Sequence, residues 1–107
     1  MNRAYIVVQG VKTRKTGTGD SFIDREYNTL VEARKRFEEV KTNPQGYELN
    51  KNNFLETLLE IEYRDENDEA IDWDIIDSHF LTIEEVQEME YQKKLAIDKK
   101  LGRIEED

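Results

Sequence analysis

A strict alternation of apolar and charged residues in the second half of the chain constrains the fold more than any other feature. Residues 56–80 read ETLLEIEYRDENDEAIDWDIIDSHF, with a polar break at 65–69. The apolar positions on either side of that break are Leu59, Ile61, Tyr63, Ile71, Trp73 and Ile75. A period of two is typical of half-buried strands. The segment therefore predicts a β-hairpin with one apolar face and one acidic face, turning near Asn67.

The alternation also predicts a register for this hairpin. Directly opposed residues share a face of the sheet, so a turn centred on Asn67 pairs odd numbers with odd and even with even. The expected pairs are Tyr63 with Ile71, Ile61 with Trp73, Leu59 with Ile75, Glu62 with Asp72 and Glu60 with Asp74. Each of the two acid–acid pairs would cost about 0.2–1 kcal/mol. Two such pairs side by side call for a reason.

The first half of the chain predicts a second hairpin. Residues 4–14 carry apolar side chains on both faces, which indicates a central strand. Gly17-Thr18-Gly19-Asp20 interrupts the pattern, and residues 21–27 resume it. The glycines suit a hairpin loop, and the loop lacks the spacing of a phosphate-binding motif.

Two capping boxes predict two helices. Thr29 and Glu32 open the first helix, which Asn43-Pro44 ends at about Thr42. Its expected buried residues are Leu30, Ala33, Phe37 and Val40. Thr82 and Glu85 open the second helix, which Lys99, Lys100 and Gly102 close.

The second helix has two apolar stripes. One stripe holds Ile83, Val86, Ile97 and Leu101, and Tyr91 and Leu95 lie about 120° away. We expect one stripe to pack on the sheet. The other either widens the buried face or contacts a second copy of the chain, as a possible homodimer.

These elements predict one α+β domain over residues 1–107, with about 103–107 as a frayed tail. The expected architecture is an antiparallel sheet of about four strands in the order ββαββα, with two helices packed on it. Trp73 is expected to be buried between the hairpin and a helix, together with Ile61, Phe37 and Tyr63.

The charge of the chain is unevenly distributed, and this limits the classes of partner. The net charge of −9 divides into ten lysines and arginines against seven acids in residues 1–53, and six against eighteen in residues 54–107. An acidic half of this density repels nucleic acid and anionic membranes and attracts basic protein surfaces or cations. The absence of cysteine excludes disulfides and thiol catalysis and suits a cytoplasmic protein.

No motif in the chain is specific for an enzyme, and we expect no catalytic residue, cofactor or metal. Asp77, Ser78 and His79 match a hydrolase triad by name, but strand geometry sends Ser78 to the opposite face. The acidic turn resembles a calcium loop in composition only, because Ala70 and Ile76 occupy the positions that need glycine and glutamate.

Three explanations remain for the opposed acids. The acids could form a solvated face partly neutralised by Lys12, Arg14 and Lys15 of the first strand. They could form a docking surface, with carboxylates standing in for phosphates. Less favoured is a Mg²⁺ or Ca²⁺ site between the strands.

The docking surface is the function that the sequence favours among these. The predicted partner-binding residues are Glu60, Glu62, Asp65, Glu66, Asp68, Asp72 and Asp74. In size, acidity and lack of catalytic motifs the chain is similar to small proteins that phages and mobile elements use against host defence. That similarity implies an inhibitor that occupies the nucleic-acid-binding groove of a protein partner. The alternative is a homo-oligomeric accessory or scaffold domain that uses Tyr91 and Leu95.

Overall fold

The computed structural model describes residues 2–102 and confirms the α+β architecture. Its elements are β1 (Asn2–Thr13), β2 (Phe22–Tyr27), α1 (Leu30–Val40), β3 (Asn53–Arg64), β4 (Ala70–Leu81) and α2 (Ile83–Lys100). The four strands form one antiparallel sheet in the order β2-β1-β3-β4. The tail expected at 103–107 lies outside the described residues.

β1 and β3 form the centre of the sheet. They pair along their whole length, from Asn2 opposite Arg64 to Thr13 opposite Asn53. Ile6 and Val7, which point to opposite faces of β1, are both buried. The expectation of a central first strand is therefore confirmed.

α1 packs against one face of these central strands, which we call the helix face. Ala33, Phe37 and Val40 form a core cluster there with Val7 and Leu59. The Thr29 hydroxyl accepts a hydrogen bond from the Glu32 amide at 3.3 Å, which confirms the predicted N-cap. Leu30 is 39% exposed, so its expected burial is wrong. It lies in the first turn of α1, at the edge of the cluster.

The first half of α2 completes a second core cluster, in which Val86 packs on Leu55 and Leu81 with Met89 beside them. Ile97 and Leu101 were candidates for packing on the sheet, and both are more than half exposed. The radius of gyration is 17.9 Å, against about 13 Å for a compact chain of this length. The fold is therefore elongated, with a thin core.

The hairpin of β3 and β4 turns where the sequence predicts, but its register is not the expected one. Arg64 lies opposite Ala70, so the turn is centred on Asn67. A bulge then adds Ile71 to β4, and Ile76 is the extra residue of a second bulge. Between the bulges the pairs are Tyr63 with Asp72, Glu62 with Trp73, Ile61 with Asp74 and Glu60 with Ile75.

Because of the two bulges, the side chains of residues 72–75 in β4 lie on the faces opposite to those expected from the sequence. Asp72 and Asp74 lie on the helix face, and Trp73 and Ile75 lie on the opposite face, which we call the open face. This register removes both expected acid–acid pairs, because each glutamate of β3 now lies opposite an apolar residue. Trp73 is 60% exposed, so the prediction of its burial is wrong. Of its three expected neighbours, Phe37 and Ile61 are buried and Tyr63 is half-buried.

The contrast between Phe37 and Trp73 gives a test of this register. Phe37→Ala should lower the free energy of unfolding by about 3–5 kcal/mol, because it leaves a cavity between α1 and the sheet. Trp73→Ala should lower it by about 1 kcal/mol or less, because the indole is largely exposed. Urea unfolding followed by circular dichroism measures both. A Trp73→Ala protein as unstable as the Phe37→Ala protein would contradict the observed register. It would support the register expected from the sequence, in which Trp73 is buried.

Candidate protein-docking site

The seven predicted partner-binding carboxylates gather at one end of the molecule, but not on one face. Glu60 and Glu62 lie on the open face, and Asp72 and Asp74 lie on the helix face. Asp65, Glu66 and Asp68 lie in and beside the turn between the strands. All residues from 66 to 76 are exposed, so no described helix covers this part of the hairpin. We call these seven carboxylates the acidic end.

Three of these carboxylates also stabilise the backbone of the hairpin. Asp65 Oδ1 accepts hydrogen bonds from the Asn67 and Glu69 amides at 2.8 and 3.0 Å and so closes the turn. Asp72 accepts from the amide of Trp73 at 2.9 Å, and Asp74 accepts from that of Ile75 at 2.8 Å.

The contacts of Asp72 and Asp74 with backbone amides also affect whether another strand can pair with β4. β4 is an edge strand of the described sheet. Carboxylates bound to its amides hinder the pairing of another strand at that edge. Asp72 and Asp74 therefore protect the sheet from edge-to-edge association, whatever else they bind.

Arg64 offsets part of the charge of the acidic end. Its guanidinium lies 2.7 Å from a Glu26 oxygen, 3.0 Å from Glu62 and 3.7 Å from Asp68. The hydrogen bond from Arg64 lowers the pKa of Glu26 below its ordinary value. Arg3 lies nearby, over the ring of Tyr63 at 5.6 Å. Glu60 and Glu66 make no ion pair within the described chain.

The cations expected to neutralise the acids lie at the other end of the sheet. Because β1 and β3 are antiparallel, Lys12 lies opposite Phe54, far from the turn. The ammonium of Lys12 is buried and donates to the Gly19 carbonyl at 2.7 Å and to the Ser21 hydroxyl.

Arg14 is also engaged at that distant end. Its guanidinium binds both carboxylate oxygens of Glu84, at 2.6 and 3.1 Å, which lowers the pKa of Glu84 to about 2. Lys15 follows next in the chain and is exposed. Neutralisation by Lys12, Arg14 and Lys15, as the solvated-face explanation requires, is therefore wrong.

The open face carries a column of glutamates between two columns of apolar side chains. Glu60 lies between Ile6 of β1 and Ile75 of β4, and Glu62 lies between Ala4 and Trp73. Glu56 has the apolar side chain of Phe80 on one side and Gly10 on the other, and Leu58 separates it from Glu60 in the column. The sequence signal that could have revealed this surface is the apolar residues on both faces of β1, only one of which α1 covers.

The surroundings of Glu60 in this column shift the pKa of its carboxyl group. Partial burial raises the pKa of Glu60, and the negative charges of Glu62 and Glu56 raise it further. A carboxylate held in this environment gains from an approaching cation, because the cation restores the interactions that desolvation removed.

The observed register separates the carboxylates that the alternative of a cation site requires. Glu60 and Glu62 lie on the opposite face of the sheet from Asp72 and Asp74, so the four carboxylates do not converge. Within residues 2–102, no group of three or more histidine, aspartate and glutamate side chains is placed to hold a metal ion.

The residues that resemble a hydrolase triad are engaged elsewhere. Asp77 binds Arg34 of α1 at 2.7 Å, and this hydrogen bond lowers the pKa of Asp77. Ser78 lies on the opposite face from Asp77 and His79, as expected. His79 Nε2 is buried and has no hydrogen-bond partner in the described part of the chain.

The two predicted oligomer-contact residues lie on α2 beyond its packed half. Tyr91 is 56% exposed and Leu95 is half-buried. Neither belongs to a core cluster of the described residues.

Comparisons with known proteins give no family for this chain. No protein-family model matches it, and neither the curated proteins nor the solved structures contain a significant match. None of the described helices is long and apolar enough to cross a membrane.

The perturbed pKa of Glu60 gives a stability test. Because that pKa is raised, ionisation of Glu60 destabilises the fold as the pH rises above about 4.5. Glu60→Gln should therefore raise the melting temperature at pH 7.5 by up to about 4 °C. The difference should vanish below pH about 4, where the carboxyl is protonated in the folded and unfolded states. Glu48→Gln, at an exposed loop position, is the control and should change nothing. A Glu60→Gln protein less stable than wild type at pH 7.5 would contradict a raised pKa of Glu60 in the folded state.

Proposed function

We propose that this protein is a non-enzymatic binding protein that docks its acidic end onto a basic surface of a protein partner. The observation that carries the proposal is the distribution of charge around the hairpin. Carboxylates lie on both faces and in the turn, while Lys12 and Arg14 lie at the opposite end of the sheet. Close to the acidic end, Arg3 and Arg64 are the cations that the described structure places.

The spacing of the carboxylates fits a partner surface that binds nucleic acid. Residues two apart on a strand are separated by about 6.8 Å, so Glu60 with Glu62 and Asp72 with Asp74 form two short rows of negative charge. A groove lined with lysine and arginine that holds rows of phosphates can hold such rows of carboxylates. The protein would then act as an inhibitor, because an occupied groove no longer binds nucleic acid.

This activity is that of the inhibitors which phages and mobile elements direct against host defence, and we propose that the protein acts in the same way, as a DNA mimic in the cytoplasm. The strands that carry the acidic end suit the binding of a partner. The hairpin extends its charges on a rigid pair of strands, so little conformational freedom is lost when the partner binds.

The proposal predicts that the acidic end displaces nucleic acid from a basic groove. The assay is competition with fluorescent duplex DNA on a set of purified nucleic-acid-binding domains. A triple variant, Glu60→Gln, Glu66→Gln and Asp68→Asn, leaves the amide-binding aspartates in place. It should compete at least about tenfold less well, mainly through slower association.

A matched variant controls for net charge alone. Glu48→Gln, Glu88→Gln and Glu90→Gln remove the same three charges from exposed positions outside the acidic end. This control should compete within about twofold of wild type. Equal losses in both variants, or no displacement of DNA from any domain, would contradict the docking role of the acidic end.

One observation favours a second candidate function, a homo-oligomeric scaffold. Tyr91 and Leu95 lie four residues apart, on one side of α2. If two copies pair their α2 helices in antiparallel fashion, Tyr91 of each copy lies near Leu95 of the other.

Leu95→Glu tests this second candidate. It should convert a dimer to a monomer without loss of helicity, because Leu95 contributes to no core cluster of the described chain. Light scattering coupled to size-exclusion chromatography gives the mass, and circular dichroism gives the helicity. A wild-type protein that remains monomeric at millimolar concentration would dispose of the candidate.

A further inference from the structure

The open face carries exposed apolar side chains that neither described helix covers. They are Ile23 of β2 and Trp73, Ile75 and Phe80 of β4, and they flank the half-buried Val8 of β1 and Glu56, Leu58, Glu60 and Glu62 of β3. Ala4 and Ile6 lie on the same face and are buried. Both α1 and α2 pack on the helix face instead. Trp73 and Phe80 are both more than half exposed. A group of exposed apolar side chains that charged residues surround is typical of an interaction site.

The dimensions of the open face suit a protein ligand. In β3 it runs from Glu56 to Glu62, about 24 Å of strand, and the strands β1, β3 and β4 span about 14 Å across. The projected area is therefore roughly 340 Å², before side-chain relief is counted. A standard protein interface covers about 800 Å² on each partner. The open face is large enough to supply the centre of such an interface.

The charge of the open face determines the kind of ligand. Glu56, Glu60 and Glu62 lie in its central column, and Arg64 at the end of β3 binds Glu62. Glu56 and Glu60 have no ion-pair partner within residues 2–102. A second copy of the same face would bring these glutamates against each other, which costs free energy. The complementary ligand is apolar and positively charged.

We infer that the open face binds an amphipathic, basic helix of a partner protein. A helix is the element that covers an apolar sheet face in α+β folds, as α1 does on the helix face. Apolar residues of the bound helix would contact the exposed side chains of Trp73, Ile75 and Phe80. Cations seven residues apart, about 10.5 Å along the helix, would reach Glu56 and Glu60, which are about 13 Å apart. This surface shares Glu60 and Glu62 with the acidic end but excludes the turn and the helix-face aspartates and extends to Glu56 and Phe80. The inference therefore goes beyond the proposed docking of the acidic end.

Phe80 and Glu56 form the part of this surface farthest from the hairpin turn. They lie opposite each other on β4 and β3. The ring of Phe80 contacts that of Phe54 edge to face, with 5.4 Å between the ring centres. A lysine or arginine that enters here meets a carboxylate and aromatic rings together, a combination that favours cations. We therefore expect the strongest single contact at this position.

Trp73 supplies the readout, because it is the only tryptophan of the chain and lies on the open face. The probe is a synthetic peptide of about 14 residues, made of leucine and lysine in an amphipathic helical pattern. Its titration should shift the emission of Trp73 to shorter wavelength and saturate. Two control peptides should give no shift. One has the same composition in scrambled order, and the other is amphipathic with glutamate in place of lysine.

Variants then locate the binding on the protein. Phe80→Ser should weaken peptide binding by about tenfold and Glu56→Gln by a few fold, because the first removes an apolar anchor and the second an unpaired carboxylate. Glu56→Gln keeps the shape of the side chain, so it remains informative if Phe80→Ser destabilises the fold. Glu90→Gln on α2 is the matched control and should bind as wild type does.

Each other outcome overturns the inference. Equal binding of the scrambled peptide would show attraction by net charge alone. A shift of Trp73 emission on concentrating the protein without peptide would assign the open face to a second copy. Peptide binding that a Glu66→Gln, Asp68→Asn double variant at the turn abolishes, but that Phe80→Ser and Glu56→Gln leave unchanged, would assign the binding to the acidic end. That last result would leave the proposed function intact, whereas failure of the DNA competition would leave the open-face inference standing.

Discussion

The antiparallel pairing of β1 with β3 is the constraint on which the rest of the structure depends. The two strands pair over twelve residues and form the frame on which both helices pack. Buried polar groups extend this frame. The Gln9 amide donates to Thr57 Oγ1 at 3.0 Å and to the Val40 carbonyl at 3.1 Å, which joins the two strands to the end of α1. A core this thin depends on such satisfied contacts, because an unpaired buried amide would cost a large share of the stability.

The direction of that pairing also separates the charges of the molecule. β1 brings Lys12 and Arg14 to the start of β3, where Arg14 binds Glu84 and holds the beginning of α2. The turn between β3 and β4 lies at the other end and keeps its acids. The acidic end is thus a consequence of strand direction, which keeps Lys12 and Arg14 away from it and brings Arg3 to its edge. This charge and the exposed apolar residues of the open face are the two observations on which the proposed binding roles rest.

Two bulges in β4 determine which of its side chains lie at the open face and which lie at the helix face. By shifting the register between residues 72 and 75, they place Trp73 and Ile75 on the open face beside the glutamates of β3. They also place Asp72 and Asp74 where each carboxylate binds an amide of the edge strand. The same shift therefore removes like-charge pairs, protects an edge and exposes an apolar column.

The sequence by itself determined the elements of this fold, and only the tertiary structure decided which residues face each way. The types and order of the elements follow from local chemistry. Period-two alternation gives the strands, Thr29 and Thr82 cap the helices, and the turn is centred on Asn67. The acidic end was also predictable by its residues, because a hairpin must bring both arms of the turn together. The faces on which Trp73, Asp72 and Asp74 lie could not be predicted from the sequence. One extra residue in an edge strand moves the side chains that follow it to the opposite faces, without any change in composition. That choice depends on repulsion across the strands and on which face α1 covers, and both arise only once the sheet has assembled.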